Sequence, residues 1–159
     1  MSTLYVIRHA DAGNRSAWRG DDDLRPLSKK GRRQADGIAK ELAASGATRL
    51  VSSPSTRCIE TLTPLAEAMG LPIETDARLR EGSDGPAALA VSEELSDLGH
   101  VGVLCSHGDV IPDLLSELRG RGVTFHDDAT WPKGSTWVLS GKGKGRGWTD
   151  AHHIPTPKS

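Results

Sequence analysis

The sequence predicts one α/β domain, a three-layer α/β/α sandwich around a mostly parallel central sheet. Two observations predict it. Short apolar runs alternate with amphipathic helical segments along the whole chain. Reactive or charged polar residues also directly follow several of those runs. The 159 residues are enough to bury a sizeable core, and no internal repeat or domain boundary is visible, so we expect a single domain over residues 1–159.

Composition restricts the classes of partner. Hydrophobic residues make up 36% and charged residues 26% of the chain, which is typical of a globular domain, and the net charge is −1. We therefore expect no nucleic acid polymer and no membrane surface as partner. No apolar run approaches transmembrane length, and Leu4–Ile7 is too short for a signal peptide, so the expected compartment is the cytoplasm. The oligomeric state is left open.

The two cysteines, Cys58 and Cys105, are interpreted as reduced, buried small residues. A cysteine-based phosphatase needs an arginine six positions after its nucleophilic cysteine. Those positions hold Pro64 and Ile111, so that class of enzyme is excluded.

The first third of the chain predicts a strand, a loop and a helix. Leu4–Ile7 is a short buried strand. Residues 11–27 resist regular structure because they are rich in Gly, Asn, Asp and Pro. Ser28 is a good N-cap for a helix that runs to about Ser45 and stops at Gly46.

A strand at Arg49–Ser52 is predicted next, followed by a second helix. Ser53 is expected to cap that helix, with Pro54 in its first position. The helix should run to about Met69 and end at Gly70. The remaining predicted elements are strand Ile73–Thr75, helix Pro86–Leu98, strand Val101–Ser106, a helix from its cap Asp109 to about Arg119, and strands Ser135–Ser140 and Trp148–Ile154.

Three segments invite a functional interpretation that their context does not favour. The acidic triplet 21–23 is expected to be a solvated loop face. The Gly- and Lys-rich segment 141–147 is expected to be a flexible hairpin loop, because no helix follows it as in a phosphate-binding loop. His152 and His153 lack partners at ligand spacing, so we expect surface residues and no metal site.

Several polar residues should converge at one edge of the sheet. His9 follows the first strand, Ser53 the second, and His107 the strand at Val101–Ser106. In parallel sheets, ligands bind outside the carboxyl ends of the strands. The sequence therefore predicts a candidate active site where these strand ends meet.

The residue types at this edge suit attack on a phosphate. A neutral imidazole such as His9 is a competent nucleophile, and arginines such as Arg8 and Arg57 bind phosphoryl oxygens. Arg57 would lie in the first turn of its helix, where free N–H groups favour anions. His107 can donate to a phosphoryl oxygen, and Glu81 can protonate the leaving oxygen. The alternative for Glu81 is a surface loop residue.

The residues Arg8-His9-Ala10 resemble the Arg-His-Gly signature of the histidine phosphatase superfamily, also called phosphoglycerate mutase-like. The resemblance covers nearly the whole chain. The stretch Arg25-Pro26-Leu27-Ser28 is similar to the small SixA-like branch. The segments 110–114 and 133–139 are similar to the phosphatase domain fused behind actinobacterial MutT-type Nudix hydrolases, although no Nudix box is present.

The resemblance implies that His9 is phosphorylated and that Arg8, Arg57 and His107 form the phosphate pocket. Glu81 matches the proton donor of the family. Arg25 is either a further phosphate contact or an ordinary loop arginine. No metal and no cofactor are implied. A phosphoglycerate mutase is disfavoured, because such enzymes are longer and carry insertions that close over the site.

The expected partner is a phosphorylated small molecule or a phosphohistidine protein. The SixA-like branch favours a phosphohistidine phosphatase. The Nudix-fused relatives suggest a nucleotide or nucleoside diphosphate as the alternative, and a non-catalytic phospho-ligand binding module is the third possibility. Trp18 and Trp131 either line the cleft or pack against the protein.

Overall fold

In a computed structural model, which describes residues 1–97, 100–143 and 146–158, seven strands form one sheet that is covered by four α-helices. The strands are β1 (Ser2–Arg8), β2 (Arg49–Ser52), β3 (Ile73–Thr75), β4 (Val101–Ser106), β5 (Thr124–Phe125), β6 (Thr136–Gly141) and β7 (Trp148–Ile154). The helices are α1 (Lys29–Leu42), α2 (Thr56–Met69), α3 (Gly85–Asp97) and α4 (Val110–Gly120).

The sheet has the order β3-β2-β4-β1-β6-β7-β5. Strands β3, β2, β4 and β1 are parallel neighbours, and β6 pairs antiparallel with both β1 and β7. Strand β5 pairs parallel with β7. Among the described strands, β6 alone therefore runs against the others, and the predicted mostly parallel sheet is confirmed.

Two apolar cores lie on opposite faces of the sheet. On one face, Ile7 and Val103 pack with side chains of α1 and α2 such as Ile38 and Leu62. The other core joins Leu4, Val6 and Leu104 of the sheet to buried side chains of α3 and α4. Successive residues of β1 and β4 alternate between the two cores, as the pleat of a strand requires. This arrangement confirms the predicted three-layer sandwich.

The predicted helix signals at α1 and at the end of α2 are present. The Ser28 hydroxyl accepts a hydrogen bond from the Gly31 N–H at 3.0 Å, so Ser28 caps α1. Gly70 ends α2 in the left-handed conformation, with φ 66°, which glycine adopts without steric cost. Helix α1 ends at Leu42, before the expected Ser45.

The predicted start of α2 is wrong. The helix begins at Thr56 with Ser55 in the cap position, and Ser53 and Pro54 precede it. The Ser53 N–H donates to the Cys105 carbonyl at 3.0 Å, so the backbone of Ser53 still continues the pairing of β2 with β4. Pairing with the neighbouring strand therefore overrides the local cap signal of Ser53-Pro54.

Other predicted details differ from the structure. Asp109 is in the expected cap position of α4 but makes no side-chain cap bond. Helix α3 begins at Gly85, and its predicted end at Leu98 lies outside the described residues. Strand β5 was not expected, because two residues are too few to show a strand periodicity. The expected loop 141–147 does join β6 to β7, but its residues 144 and 145 also lie outside the described part of the chain.

The acidic triplet is only partly a solvated loop face, because Asp21 is exposed whereas Asp22 and Asp23 are half-buried. The loop after β1 contains two short 3₁₀ turns, Arg15–Ala17 and Asp22–Leu24, and Asp21 caps the second of them. Asp22 forms ion pairs with Arg25 and with the fully buried Arg57, and Asp23 pairs with Arg80 at 3.0 Å. The triplet therefore ties this loop to the carboxyl edge of the sheet.

None of the helices in the described part of the chain combines the length and apolar character needed to cross a bilayer. Within residues 1–97, 100–143 and 146–158, no group of three or more His, Cys, Asp or Glu side chains is placed to hold a metal ion. His152 is exposed and its ring stacks on that of His126 with the centroids 4.3 Å apart. Both cysteines are free and buried, in agreement with the sequence.

Candidate active site

The two histidines lie side by side because β1 and β4 are neighbours in the sheet. Arg8 and Ser106 are opposite each other in this parallel pairing, so His9 and His107 each come directly after it. The His9 N–H donates to the Ser106 carbonyl at 3.0 Å. The two imidazole rings meet edge to face with their centroids 5.5 Å apart.

His9 is buried with one ring nitrogen left free. Its Nδ1 lies 2.8 Å from the Ala10 carbonyl oxygen. Because a carbonyl oxygen can only accept, Nδ1 carries the ring proton and Nε2 carries the lone pair. Nε2 has no hydrogen-bond partner among the described residues.

The pKa of His9 is lowered to about 3, and burial of the ring is the largest cause of this shift. The hydrogen bond to Ala10 raises the pKa, whereas the charges of Arg57 and Arg8 lower it. His9 is therefore neutral at physiological pH, and its Nε2 is available as a nucleophile.

Arg57 brings a fully buried guanidinium into the first turn of α2. Its Nη1 donates to the Asp22 carbonyl at 2.8 Å. Its Nη2 lies 3.3 Å from carboxylate oxygens of both Asp22 and Glu81, and 3.4 Å from Nδ1 of His107. The buried Nε has no acceptor within the described residues. Arg57 thus has an N–H group that is available to an additional acceptor close to both histidines.

Arg8 is anchored at its outer end. Its Nη1 donates to the Trp131 carbonyl at 3.0 Å, and its guanidinium lies against Gly108, where an added Cβ would come within 2.6 Å of the Arg8 Cζ. Burial lowers the pKa of Arg8, and the charge of Asp109 opposes that shift. Its buried Nε also lacks an acceptor in the part of the chain described.

His107 is fully buried, and its Nε2 contacts side chains on the side of the ring away from Arg57. Its Nε2 lies 2.8 Å from the Ser53 hydroxyl and 3.6 Å from the Cys58 Sγ. Nδ1 is therefore the ring nitrogen that faces Arg57. Ser53 in turn lies 3.4 Å from Ser55, whose hydroxyl donates to Asp23 at 3.1 Å.

Glu81 is placed at the rim of the site rather than on an isolated loop. It follows the short turn Ala77–Leu79, and its Oε1 accepts from Arg15 at 2.6 Å. Its Oε2 lies 3.3 Å from Arg57. The Asp109 carboxylate accepts from the Gly82 N–H at 2.8 Å, which fixes the turn that carries Glu81.

Arg25 braces the loop after β1. Its side chain is buried, donating to the Ala12 carbonyl at 2.7 Å and to the Asp22 carboxylate at 3.0 Å. It also lines the candidate cleft. An ordinary loop arginine would be solvated, so the structure gives Arg25 a bracing role that neither sequence alternative described.

Arg8, His9, Arg25 and Glu81 line a cleft of about 530 Å³. Arg57 and His107 are fully buried and contact residues of its wall rather than lining it themselves. A slightly larger cavity, about 580 Å³, lies at the amino ends of the strands between α3, α4 and β7, and it contains none of the predicted site residues. We assign the candidate site by its chemistry rather than by volume. The residues that line the cleft are Arg8, His9, Gly13, Asn14, Arg15, Arg25, Glu81, Gly108, Asp109 and Lys133.

Sequence reasoning missed three contributors to this site. Arg15 and Asp22 come from the loop after β1, and Lys133 comes from the segment before β6. Ser53 was expected at this edge of the sheet, but its only predicted role was that of a helix cap. Trp18 does not line the cleft, and its Nε1 donates to the Asp21 carbonyl at 2.9 Å.

Comparison with known proteins places these observations in a family. Residues 4–97 match the model of the histidine phosphatase superfamily, branch 1. The chain is 38% identical over 141 residues to a protein of Mycolicibacterium smegmatis named 8-oxo-(d)GTP phosphatase, an alignment that covers 87% of this chain and 44% of that protein. The chain spans less than half the length of the curated relatives it matches.

Solved structures share the fold. The protein histidine phosphatase SixA complexed with tungstate superposes with a TM-score of 0.75 at 18% identity, covering 98% of this chain and 96% of that one. YhfR of Bacillus stearothermophilus gives a TM-score of 0.75 at 19% identity, covering 93% and 94% of the two chains. At these identities the likeness establishes the fold alone.

The burial of a neutral His9 makes stability depend on pH. Its pKa in the folded chain is about 3, below the ordinary value of about 6.5. The unfolded chain therefore binds more protons between those values, and the stabilisation present above pH ~6.5 is lost as the pH falls towards 3. We expect His9→Asn to reduce the pH slope of the free energy of unfolding by up to about 1.4 kcal/mol per pH unit.

Urea unfolding at several pH values between about 4 and 7 measures this slope. His152→Asn, at an exposed position on β7, is the matched control and should leave it unchanged. Equal slopes in the wild-type protein and in His9→Asn would contradict the buried neutral imidazole.

Proposed function

The chain belongs to the histidine phosphatase superfamily, and on that premise we propose that it is a phosphatase that hydrolyses its substrate through a phosphohistidine intermediate on His9. The observation that carries this proposal is the state of His9. Its Nδ1 is occupied by the Ala10 carbonyl at 2.8 Å, which leaves a lone pair on Nε2 in a ring that has His107, Arg8 and Arg57 as neighbours. That arrangement suits nucleophilic attack on phosphorus.

The proposed reaction has two displacements. Nε2 of His9 forms a bond to phosphorus while the bond from phosphorus to the leaving group breaks, and a proton is delivered to the leaving oxygen or nitrogen. Water then attacks the phosphohistidine and gives one proton to the group that protonated the leaving atom, which releases inorganic phosphate and returns the lone pair to Nε2. The proposed reaction uses no metal, because the charge on the transferred group is balanced by Arg8 and Arg57 and His107 donates a hydrogen bond to it.

The two arginines support this assignment through their unused donors. Nε of Arg8 and Nε of Arg57 are buried without an acceptor in the described residues. A buried N–H that lacks an acceptor costs about 1–3 kcal/mol. Phosphoryl oxygens are acceptors that match the fork of donors in a guanidinium. A bound phosphate would therefore accept from the N–H groups that have no acceptor in the protein alone.

Glu81 is the proposed proton donor. Its carboxylate lies at the rim of the cleft, where it accepts from Arg15 at 2.6 Å and lies 3.3 Å from Arg57. A phosphoryl group bound to Arg57 would compete with Glu81 for that guanidinium and so free the carboxyl group from one of its two partners. A carboxylic acid at this position can deliver the proton that the leaving group needs.

The favoured substrate is a phosphohistidine on a protein, as the SixA-like resemblance implies. A nucleotide is the second candidate, and a specific observation favours it: the relative at 38% identity is named 8-oxo-(d)GTP phosphatase. Arg15 and Lys133 add positive charge at the rim of the cleft beyond Arg8 and Arg57. That charge suits a second phosphate on the same substrate.

Substitution of His9 tests the nucleophile. We expect the wild-type protein to hydrolyse 4-nitrophenyl phosphate in the presence of EDTA and His9→Asn to lose at least about 1000-fold in kcat, because the covalent route is removed. With ³²P-labelled substrate, the captured label should be lost in acid and kept in alkali, as a phosphoramidate requires.

His152→Asn is again the matched control and should retain activity. Undiminished turnover in His9→Asn, or an acid-stable label, would overturn the assignment of His9. Binding of phosphate without any turnover in the wild-type protein would instead identify a non-catalytic phospho-ligand binding module.

The role of Glu81 is tested by varying the leaving group. We expect Glu81→Gln to lower kcat/KM about 100-fold or more for an alkyl phosphate, whose leaving oxygen needs a proton. The loss should be only a few-fold for 4-nitrophenyl phosphate, because nitrophenolate leaves without one. Equal losses for both substrates would argue against a proton donor at this position.

The two substrate classes are separated by Lys133. If a nucleoside diphosphate is the substrate, Lys133→Ala should lower kcat/KM for the diphosphate about fivefold more than for the monophosphate, the magnitude of a partly exposed ion pair. Lys142→Ala, an exposed lysine beyond the other end of β6, is the control. Faster turnover of a phosphohistidine peptide than of any nucleotide, with no effect of Lys133→Ala, would favour the phosphohistidine phosphatase.

A further inference from the structure

The hydrogen bonds of His107 do not match the donor role that phosphate binding requires of it. Nη2 of Arg57 lies 3.4 Å from Nδ1 of His107. Because a guanidinium can only donate, a hydrogen bond at this contact requires an Nδ1 without a proton. A neutral ring would then carry its proton on Nε2, where it can be donated to the Ser53 hydroxyl at 2.8 Å.

The polar groups behind His107 are consistent with this tautomer. The Ser53 hydroxyl donates onward to Ser55 at 3.4 Å, a long contact, and Ser55 donates to the Asp23 carboxylate at 3.1 Å. In this arrangement each hydroxyl donates towards Asp23, and the Ser53 oxygen also accepts from the Ser55 N–H at 3.4 Å. Ser53 and Ser55 are both buried, so no bulk water replaces these partners.

A bound phosphoryl group would require a proton on Nδ1 of His107, whereas the contact with Arg57 requires a lone pair there. Its oxygens would accept from Arg57 and would then face Nδ1 of His107, where two lone pairs would oppose each other. A hydrogen bond from His107 needs a proton on Nδ1. The neutral ring can supply it only if the proton leaves Nε2, and Nε2 then needs a donor in place of an acceptor.

We propose that Ser53 is a positioning residue whose hydroxyl changes from accepting to donating at Nε2 of His107, so that the imidazole exchanges tautomers when phosphate binds. The Nε2 proton passes to the Ser53 oxygen while the Ser53 proton moves through Ser55 to Asp23, which returns it to solvent. Nδ1 takes up a proton from water that enters the cleft with the anion, so the number of protons on the ring is unchanged. The hydroxyl suits this role because it has one donor and two acceptor sites that rotate freely. This inference rests on the proposed phosphate site but not on turnover.

The other neighbour of Nε2 is a poorer partner. The Cys58 Sγ lies 3.6 Å from Nε2 and is also 3.7 Å from the Ser106 carbonyl, to which its thiol can donate. A thiol is a weak donor and a weak acceptor. Removal of the Ser53 hydroxyl would therefore leave Nε2 of His107 without an adequate partner in the bound state.

The test reads the tautomer directly. In protein labelled with ¹⁵N-histidine, the His107 signals, assigned by their loss in His107→Asn, should show an unprotonated Nδ1 in the free protein. Saturation with tungstate, a phosphate-shaped oxyanion, should make Nδ1 the protonated nitrogen and Nε2 the unprotonated one. An unchanged tautomer, or a ring protonated on both nitrogens in the complex, would overturn the proposal.

Variants of Ser53 connect the tautomer to binding and rate. Ser53→Ala should abolish the exchange and lower kcat for 4-nitrophenyl phosphate about 10- to 100-fold, the scale of losing one donor to developing charge. Ser53→Thr keeps the hydroxyl and should restore the exchange. Ser52→Ala removes a neighbouring buried hydroxyl that donates to the Ser53 carbonyl, and it should leave the exchange intact.

The outcomes separate the proposal from its premise. Failure of the wild-type protein to bind tungstate would overturn the phosphate site itself. Binding without the exchange, or an exchange that survives in Ser53→Ala, would overturn the role of Ser53 alone. If Ser53→Ala does not fold, the wild-type spectra and Ser53→Thr still decide the question.

Discussion

The parallel pairing of β1 with β4, with Arg8 opposite Ser106, is the constraint on which the candidate site depends. It ends both strands at the same level, so that two imidazoles lie 5.5 Å apart without any contribution from a flexible loop. A shift of one residue in this register would turn every buried side chain of β1 to the opposite face of the sheet. Because Leu4 and Val6 belong to one core and Ile7 to the other, the two hydrophobic layers hold the register, and through it the histidines.

A second constraint is the cost of burying Arg57. Its guanidinium is fully buried, and an unpaired charge at that depth would be strongly destabilising. Asp22 and Glu81 supply carboxylates at 3.3 Å, which offset that cost in the empty site. The acidic loop after β1 therefore has a structural reason to cover the pocket. A phosphoryl group that bound Arg57, as proposed, would compete with these carboxylates for the guanidinium.

Much of this architecture could be predicted from the sequence, and the failures have physical causes. Arg49–Ser52 and Val101–Ser106 were predicted with the bounds that the structure has, because apolar runs bounded by polar residues reflect burial directly. The start of α2 was wrong, because the backbone of Ser53 bonds to β4, a partner that is distant in sequence. The roles of Arg15 and Asp22 were invisible for the same reason. Each acts across a long loop on Glu81 or Arg57, and no local pattern encodes such a contact.

The two histidines differ in what holds them, and that difference bears on what each can do. The partner of Nδ1 in His9 is a main-chain carbonyl of the next residue, Ala10, which can only accept and cannot turn away. That contact fixes one tautomer permanently and suits a nucleophile, which needs the same lone pair at every turnover. The partner of Nε2 in His107 is the Ser53 hydroxyl, which can accept or donate. Under the proposed function, His107 faces Arg57 in the empty site and an oxyanion in the occupied one, and a hydroxyl partner would permit both arrangements. The proposed difference between the two imidazoles then follows from a carbonyl partner in one case and a hydroxyl partner in the other.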